Sequence, residues 1–209
     1  HEEKCLTQKQ VASSRQNQYK FEHFSLKQGL SQTNIYAAVQ DSLGFLWFAT
    51  QDGLNRFDAY HFKIFRHING DSLSLPDNWN TALTTDRTGN IWIGSINGEV
   101  SKFSIKNNTF KNYKLTFRKD NQLNRSINVL LVDRREHLWI GSNGSGLARY
   151  QISVNSFQSV PISQNLDLQQ ITALYEDKEG LIWIGTINKG IIVYNPQNDR
   201  FSNFSDFTE

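Results

Sequence analysis

Acid–base, nucleophilic and metal chemistry each need particular side chains at particular spacings, and this 209-residue chain offers few of them. Its five histidines, His1, His23, His61, His67 and His137, show no H-x-x-x-H spacing that would aim two rings at one metal. His1 and the single cysteine, Cys5, share a polar stretch, but one imidazole and one thiol fall short of the donor set of a structural zinc. Adjacent carboxylates occur as Glu2-Glu3 and Glu176-Asp177, and Asp177 is one of a recurring series with a structural explanation of its own. Neither a G-x-S-x-G elbow nor a G-x-x-x-x-G-K-[ST] phosphate loop is present. The sequence therefore predicts no catalytic residue, no metal site and no cofactor.

Recognition is better supplied. Flat aromatic rings, together with side chains that both donate and accept, are what a sugar requires. Trp79, Asn78, Asn97, Arg118, Arg125, Asn143 and Asn188 are of those types. Each has a plainer explanation, since asparagine in a turn is usually there for its backbone tolerance. Trp79 is the strongest candidate because it falls outside the repeat described next, although it could also serve as a hydrophobic plug.

The elements that must position these residues recur. GFLWFATQDGL at 44–54 returns as GNIWIGSINGE, EHLWIGSNGSG and GLIWIGTINKG, and the tryptophans Trp47, Trp92, Trp139 and Trp183 lie 45, 47 and 44 residues apart. Six residues before each stands an aspartate: Asp41, Asp86, Asp133 and Asp177. Gly44, Gly89 and Gly180 follow three residues after theirs, whereas the third copy has Glu136. D-x-x-G between apolar runs reads as a hairpin in which the carboxylate accepts from N–H groups just ahead and glycine takes a positive φ. Glu136 would cost about 1 kcal/mol in that geometry, so a rebuilt turn is expected there.

Each unit then carries four apolar runs. The first precedes the aspartate, and the second holds the tryptophan with a small residue two positions on (Ala49, Gly94, Gly141, Gly185), where a neighbouring sheet should approach closely. The third ends on an aromatic (Phe57, Phe103, Tyr150, Tyr194), and the fourth reads FKIF, FKNY, FQSV or FSNF. Four strands at about 45 residues per unit match one blade of a β-propeller. The expected fold is all-β, with four-stranded antiparallel blades at about 33–66, 78–114, 126–160 and 170–204.

Residues 1–20 are almost devoid of apolar side chains and are expected to form a disordered tail. FEHFS at 21–25 resembles a fourth strand with no first three before it, as when an N-terminal strand closes a propeller ring. Unit four already has its own fourth strand, so a blade that needs FEHFS would lie outside these residues. The chain thus reads as part of a longer propeller, in preference to a closed four-bladed ring. Its open edge should take either the remaining blades or another copy.

The formal charge is +2 with both signs scattered, unlike the clustered basic stripe of a nucleic-acid surface. No apolar run approaches the roughly 18 residues that span a bilayer. Sialidase Asp-boxes place glycine two and tryptophan five residues after the aspartate, against three and six here, and no WD pair follows the tryptophans. A glycan-acting propeller enzyme, sialidase- or lyase-like, and a protein-interaction scaffold remain the alternatives.

The repeat D-x-x-G-x-[LI]-W-[FI]-[AG]-T-x-x-G-[LI]-x-x-[FY] resembles the two-component regulator propeller repeat. The opening FEHFSLKQGLSQTNIYAAVQDSLGFLWFATQDGLNRFD resembles the start of the periplasmic sensor region of Bacteroides-type hybrid two-component regulators. Ala49 and Glu136 depart from the pattern. The resemblance implies a seven-bladed parent propeller, a homodimeric parent anchored in the inner membrane, and a histidine kinase beyond it. It also implies sensing of glycan-derived oligosaccharides by a non-catalytic periplasmic region. Neither nucleic acid nor membrane is expected to bind this region itself.

Overall fold

The computed structural model describes residues 21–115, 126–158, 160, 168 and 170–204. The expected disordered tail, 1–20, lies outside them. Four antiparallel sheets, each in simple sequence order, account for the sixteen strands of the described residues. Blade 1 holds β1 (Ile35–Gln40), β2 (Leu46–Thr50), β3 (Gly53–Phe57) and β4 (Phe62–Phe65), and blade 2 holds β5 (Asn80–Thr85), β6 (Ile91–Ser95), β7 (Glu99–Ser104) and β8 (Thr109–Lys114). Blade 3 comprises β9 (Ile127–Val132), β10 (His137–Ser142), β11 (Leu147–Gln151) and β12 (Ser156–Gln158), and blade 4 comprises β13 (Ile171–Glu176), β14 (Ile182–Thr186), β15 (Ile191–Asn195) and β16 (Arg200–Asn203). First strands of successive blades lie against one another, β1 on β5, β5 on β9 and β9 on β13, so they form the inner side of an arc.

The repeated aspartate does two jobs in each blade. Asp41 Oδ1 accepts from the N–H groups of Leu43 and Phe45, which closes the β1–β2 turn, while Oδ2 accepts from the Trp47 indole at 2.7 Å. Asp86, Asp133 and Asp177 accept from Trp92, Trp139 and Trp183 in the same way. A tryptophan can therefore be buried without orphaning its N–H. Gly44, Gly89 and Gly180 take φ of 81° to 90° in these turns. Glu136 adopts φ 62° and its N–H bonds to Asp133 O at 3.1 Å, so the third turn is not rebuilt as expected. His137 adds a ring nitrogen 3.0 Å from Asp133 Oδ2, an extra contact that helps hold the strained residue in place.

Among the described residues the core consists of three seams between blades. Trp47 packs on Phe103 of blade 2 at 5.2 Å between ring centroids, Trp92 on Tyr150 of blade 3 at 5.5 Å, and Trp139 on Tyr194 of blade 4 at 5.4 Å. The small residue two beyond each tryptophan receives the opening isoleucine of the next blade. A Cβ on Gly94 would lie 2.5 Å from Ile127, and one on Gly141 2.6 Å from Ile171. At the first seam the sizes change together, with Ala49 in place of glycine and Asn80 in place of isoleucine. A third tie crosses the inner rim: the Thr81 hydroxyl donates to Ile127 O at 2.5 Å, and the Asn128 amide to Ile171 O at 2.9 Å.

FEHFS, expected as a closing strand, forms no strand among the described residues and runs as coil into a single 3-10 turn, Leu26–Gln28, capped by Ser25. Each of the four described blades has a fourth strand of its own, β16 in blade 4, so none of them is the blade that FEHFS was expected to complete.

Candidate functional site

Two kinds of loop share one face of the arc: those leading into each first strand and those joining second to third strands. They are stitched by backbone bonds. Ile96 N donates to Trp79 O at 3.0 Å, Asn143 N to Ser126 O at 2.9 Å, and Ile187 N to Gln170 O at 3.1 Å. Trp79 thus occupies a repeat position after all, immediately before β5, and its main chain is structural. Its side chain remains to be explained.

The linker from β4 to β5 is pinned at several points. Arg66 grips Asp52 bidentately at 2.9 and 3.0 Å, and the guanidinium holds the Asp52 carboxyl below its ordinary range. Asn78 accepts at Oδ1 from His67 N at 2.7 Å, while its carbonyl accepts from Gly53 N and from the Asn80 amide. Leu75 is fully buried between blades 1 and 2. Asn78 is therefore a fastener of the linker.

Held on this base, the Trp79 indole is 37% exposed and leans on Tyr36 of blade 1, with centroids 6.2 Å apart at 47°. Gln51 Nε2 donates to the Tyr36 hydroxyl at 2.8 Å. On the other side, Asp77 accepts from Trp79 N at 2.8 Å and from the Asn97 amide. The result is an open aromatic pair flanked by a carboxamide and a carboxylate–carboxamide couple. Such a surface can stack on an apolar ring face while bonding to hydroxyls at its edge.

The structure brings together Trp79, Asn78 and Asn97 from the sequence-based candidates. Asn143 and Asn188 lie on the same face but on blades 3 and 4, where both meet Gln170. Arg118 and Arg125 lie outside the described residues. Sequence reasoning missed Tyr36, Gln51 and Asp77. Tyr36 could have been found, because Thr81, Asn128 and Thr172 hold its place in the other units and it alone there is aromatic.

The opposite face carries a cavity of about 320 Å³ lined by Thr85, Asp86, Arg87, Val132, Asp133, Arg134 and Glu176. Its charges are committed. Arg87 donates to Arg134 O, Arg134 donates to the carbonyls of Asp177 and Lys178, and Asp86 and Asp133 hold indoles. Among the described residues no helix is long and apolar enough to cross a membrane, and no three His, Cys, Asp or Glu side chains gather as metal ligands.

Comparison with known proteins follows this architecture. The two component regulator propeller family matches at residues 29–52, 74–97 and 165–188. Histidine kinase P4 of Formosa agariphila is 46% identical over 55 residues, which are 26% of this chain and 4% of that protein. A crystal structure described as the extracellular domain of a hybrid two component system of B. thetaiotaomicron superposes with a TM-score of 0.75 at 24% identity, over 88% of this chain and 26% of the other. Virginiamycin B lyase from Staphylococcus aureus superposes at 0.65 and 15% identity, over 84% of this chain and 57% of its own. At these identities the superpositions establish the propeller fold, and the fold hosts both sensors and enzymes. The chain spans about a quarter of the first of these structures and a small part of the curated relative.

Proposed function

We propose, for a chain built of two component regulator propeller repeats, that it forms part of an extracytoplasmic, periplasmic sensor region that recognises glycan-derived oligosaccharides without catalysis. The supporting observation is the exposed Tyr36–Trp79 pair with Gln51, Asp77 and Asn97 around it. Stacking on an aromatic of this kind discriminates sugars by their flat apolar faces, and the amide partners add directional bonds. Signalling through a homodimeric histidine kinase parent belongs to the same reading.

Tryptophan emission and calorimetry against a panel of neutral and acidic plant, algal and host oligosaccharides test it. Saturable binding that Trp79→Ala or Tyr36→Ala weakens at least tenfold is expected, with the sugar recovered unchanged. Flat titrations across the panel would remove the sugar from the reading, and release of cleaved product would move the chain to the lyase or hydrolase class.

A further inference from the structure

The hydrogen-bonding capacity around the Tyr36–Trp79 pair is lopsided towards acceptors. Asp77 accepts from Trp79 N at Oδ1 and from the Asn97 amide at Oδ2, so each carboxylate oxygen is used once and keeps a second acceptor direction. Because Asn97 Nδ2 is turned to Asp77, the Asn97 Oδ1 points away from it and meets no donor among the described residues. Gln51 is committed in the same way: its Nε2 donates to the Tyr36 hydroxyl at 2.8 Å, and its Oε1 is the end left over. Against these acceptors the pair offers two donors, the Trp79 indole N–H and the Tyr36 O–H, which accepts from Gln51 and keeps its hydrogen. The charge is lopsided too. Arg66 is neutralised by Asp52, which holds it at 2.9 and 3.0 Å, whereas Asp77 forms no ion pair among the described residues.

We infer, on the reading that this face binds sugars, that the Tyr36–Trp79 pair takes neutral or amino-bearing oligosaccharides and rejects acidic ones, with Asp77 as the residue that sets the preference. A neutral sugar lays its C–H face on the rings and brings hydroxyls that donate to Asp77, Asn97 and Gln51. An ammonium in place of one hydroxyl donates up to three bonds and adds a charge-assisted bond to the Asp77 carboxylate. A uronate brings oxygens that only accept, and it sets a second negative charge against a half-buried carboxylate that water screens incompletely. Discrimination thus comes from an introduced repulsion as much as from new attraction. The chain as a whole carries +2, which by itself would favour anions. A preference of the opposite sign therefore reports the site and not the molecule.

The probes are glucose, mannose and galactose tetramers, each in neutral, 2-amino and C6-carboxylate form, titrated by calorimetry against the whole chain. On any backbone that binds, the carboxylate form should bind about tenfold more weakly than the neutral form, and the amino form more tightly than either. Asp77→Asn retains an Oδ1 acceptor for Trp79 N while removing the charge. It should leave the neutral form within about threefold, bring the carboxylate form up to it, and take away the advantage of the amino form. A loop that was merely weakened would move all three forms alike. Salt supplies a second reading on the unaltered chain, should Asp77→Asn disturb the linker. Raising sodium chloride from about 20 to about 300 mM should weaken binding of the amino form and strengthen that of the carboxylate form, each relative to the neutral one. The inference is overturned if a carboxylate form binds as tightly as its neutral counterpart, or if Asp77→Asn and salt shift all forms together. Acidic binding that Trp79→Ala weakens would sink this inference alone and leave the sugar reading standing. Flat titrations with every probe would remove that reading and this inference with it.

Discussion

The indole of Trp92 donates to the Asp86 carboxylate at 3.0 Å, with both side chains buried, and the same carboxylate accepts from the N–H groups of Thr88 and Asn90. One side chain thereby couples a turn to the seam packing of the strand that follows it, where Trp92 meets Tyr150 of blade 3. The unit is repeated in every blade, so damage to it should be felt both locally and between blades.

Replacing Asp133 by alanine removes the acceptor for the Trp139 indole and for the N–H groups of Arg135 and His137. Buried donors left without partners cost about 1–3 kcal/mol each, so a total loss of about 3 kcal/mol is expected. Urea unfolding followed by tryptophan emission measures it. A loss below about 1 kcal/mol would show that water replaces the carboxylate and that the aspartate is dispensable.

Acid should weaken the fold through the same groups. Burial pushes the Asp86 carboxyl up, but bonds from Asn90, Thr88 and Trp92 outweigh it and leave the group below its ordinary range. Asp177 is lowered by the same balance. A lowered carboxyl contributes its full stability above the unfolded value, about 3.9, and loses it as pH falls through the folded value. Melting temperature should hold steady from pH 7 to about 5 and fall steeply below about 4. Asp86→Asn should flatten part of that fall, and an unchanged profile in that variant would assign the acid sensitivity elsewhere.

Gly141→Ala should destabilise and Gly185→Ala should do so far less. A Cβ on Gly141 meets Ile171 of blade 4 and Val129 at 2.6 Å, whereas one on Gly185 meets at its nearest Ala173 of its own blade at 3.2 Å. Overpacking of the first kind costs about 1–3 kcal/mol. Ile171→Ala combined with Gly141→Ala should recover part of that loss, and a double-mutant cycle by denaturant titration would read the coupling. Additive losses would mean that the two residues do not share the dimple.

Glu136→Gly should stabilise blade 3 by about 1 kcal/mol, because φ 62° is strained for glutamate and free for glycine. Thermal melts of the two forms compare them directly. A melting temperature lower than that of the parent chain would show that the Glu136 side chain contributes more than its backbone strain costs.

Much of the fold can be read in the chain because its signals are local. An aspartate, a left-handed residue and a tryptophan within seven positions specify a turn and a strand wherever they occur, which is why all four units could be placed from their text. Glu136 marks the limit of that reading: whether a strained residue bends the turn or the turn holds the residue depends on what surrounds it. His137, next to it, sits 3.0 Å from the same carboxylate. The candidate site was less legible. Trp79 stood out as an unmatched residue, but its partner Tyr36 lies 43 positions earlier on another blade, and sequence spacing carries no information about the angle between blades.

By itself, then, the sequence determined the blade: its strand order, its turns, and the small residue that lets a neighbour approach. Tertiary structure alone decided what stands beside what. It set Trp79 against Tyr36 on one rim, Arg134 against the turn of blade 4 on the other, and Phe24 against Phe57 and Phe62 on the flank of blade 1. The physical reason is range. Hydrogen bonds across a tight turn are fixed by a few adjacent residues, whereas the meeting of two blades follows from the summed volumes and ring orientations of a whole seam.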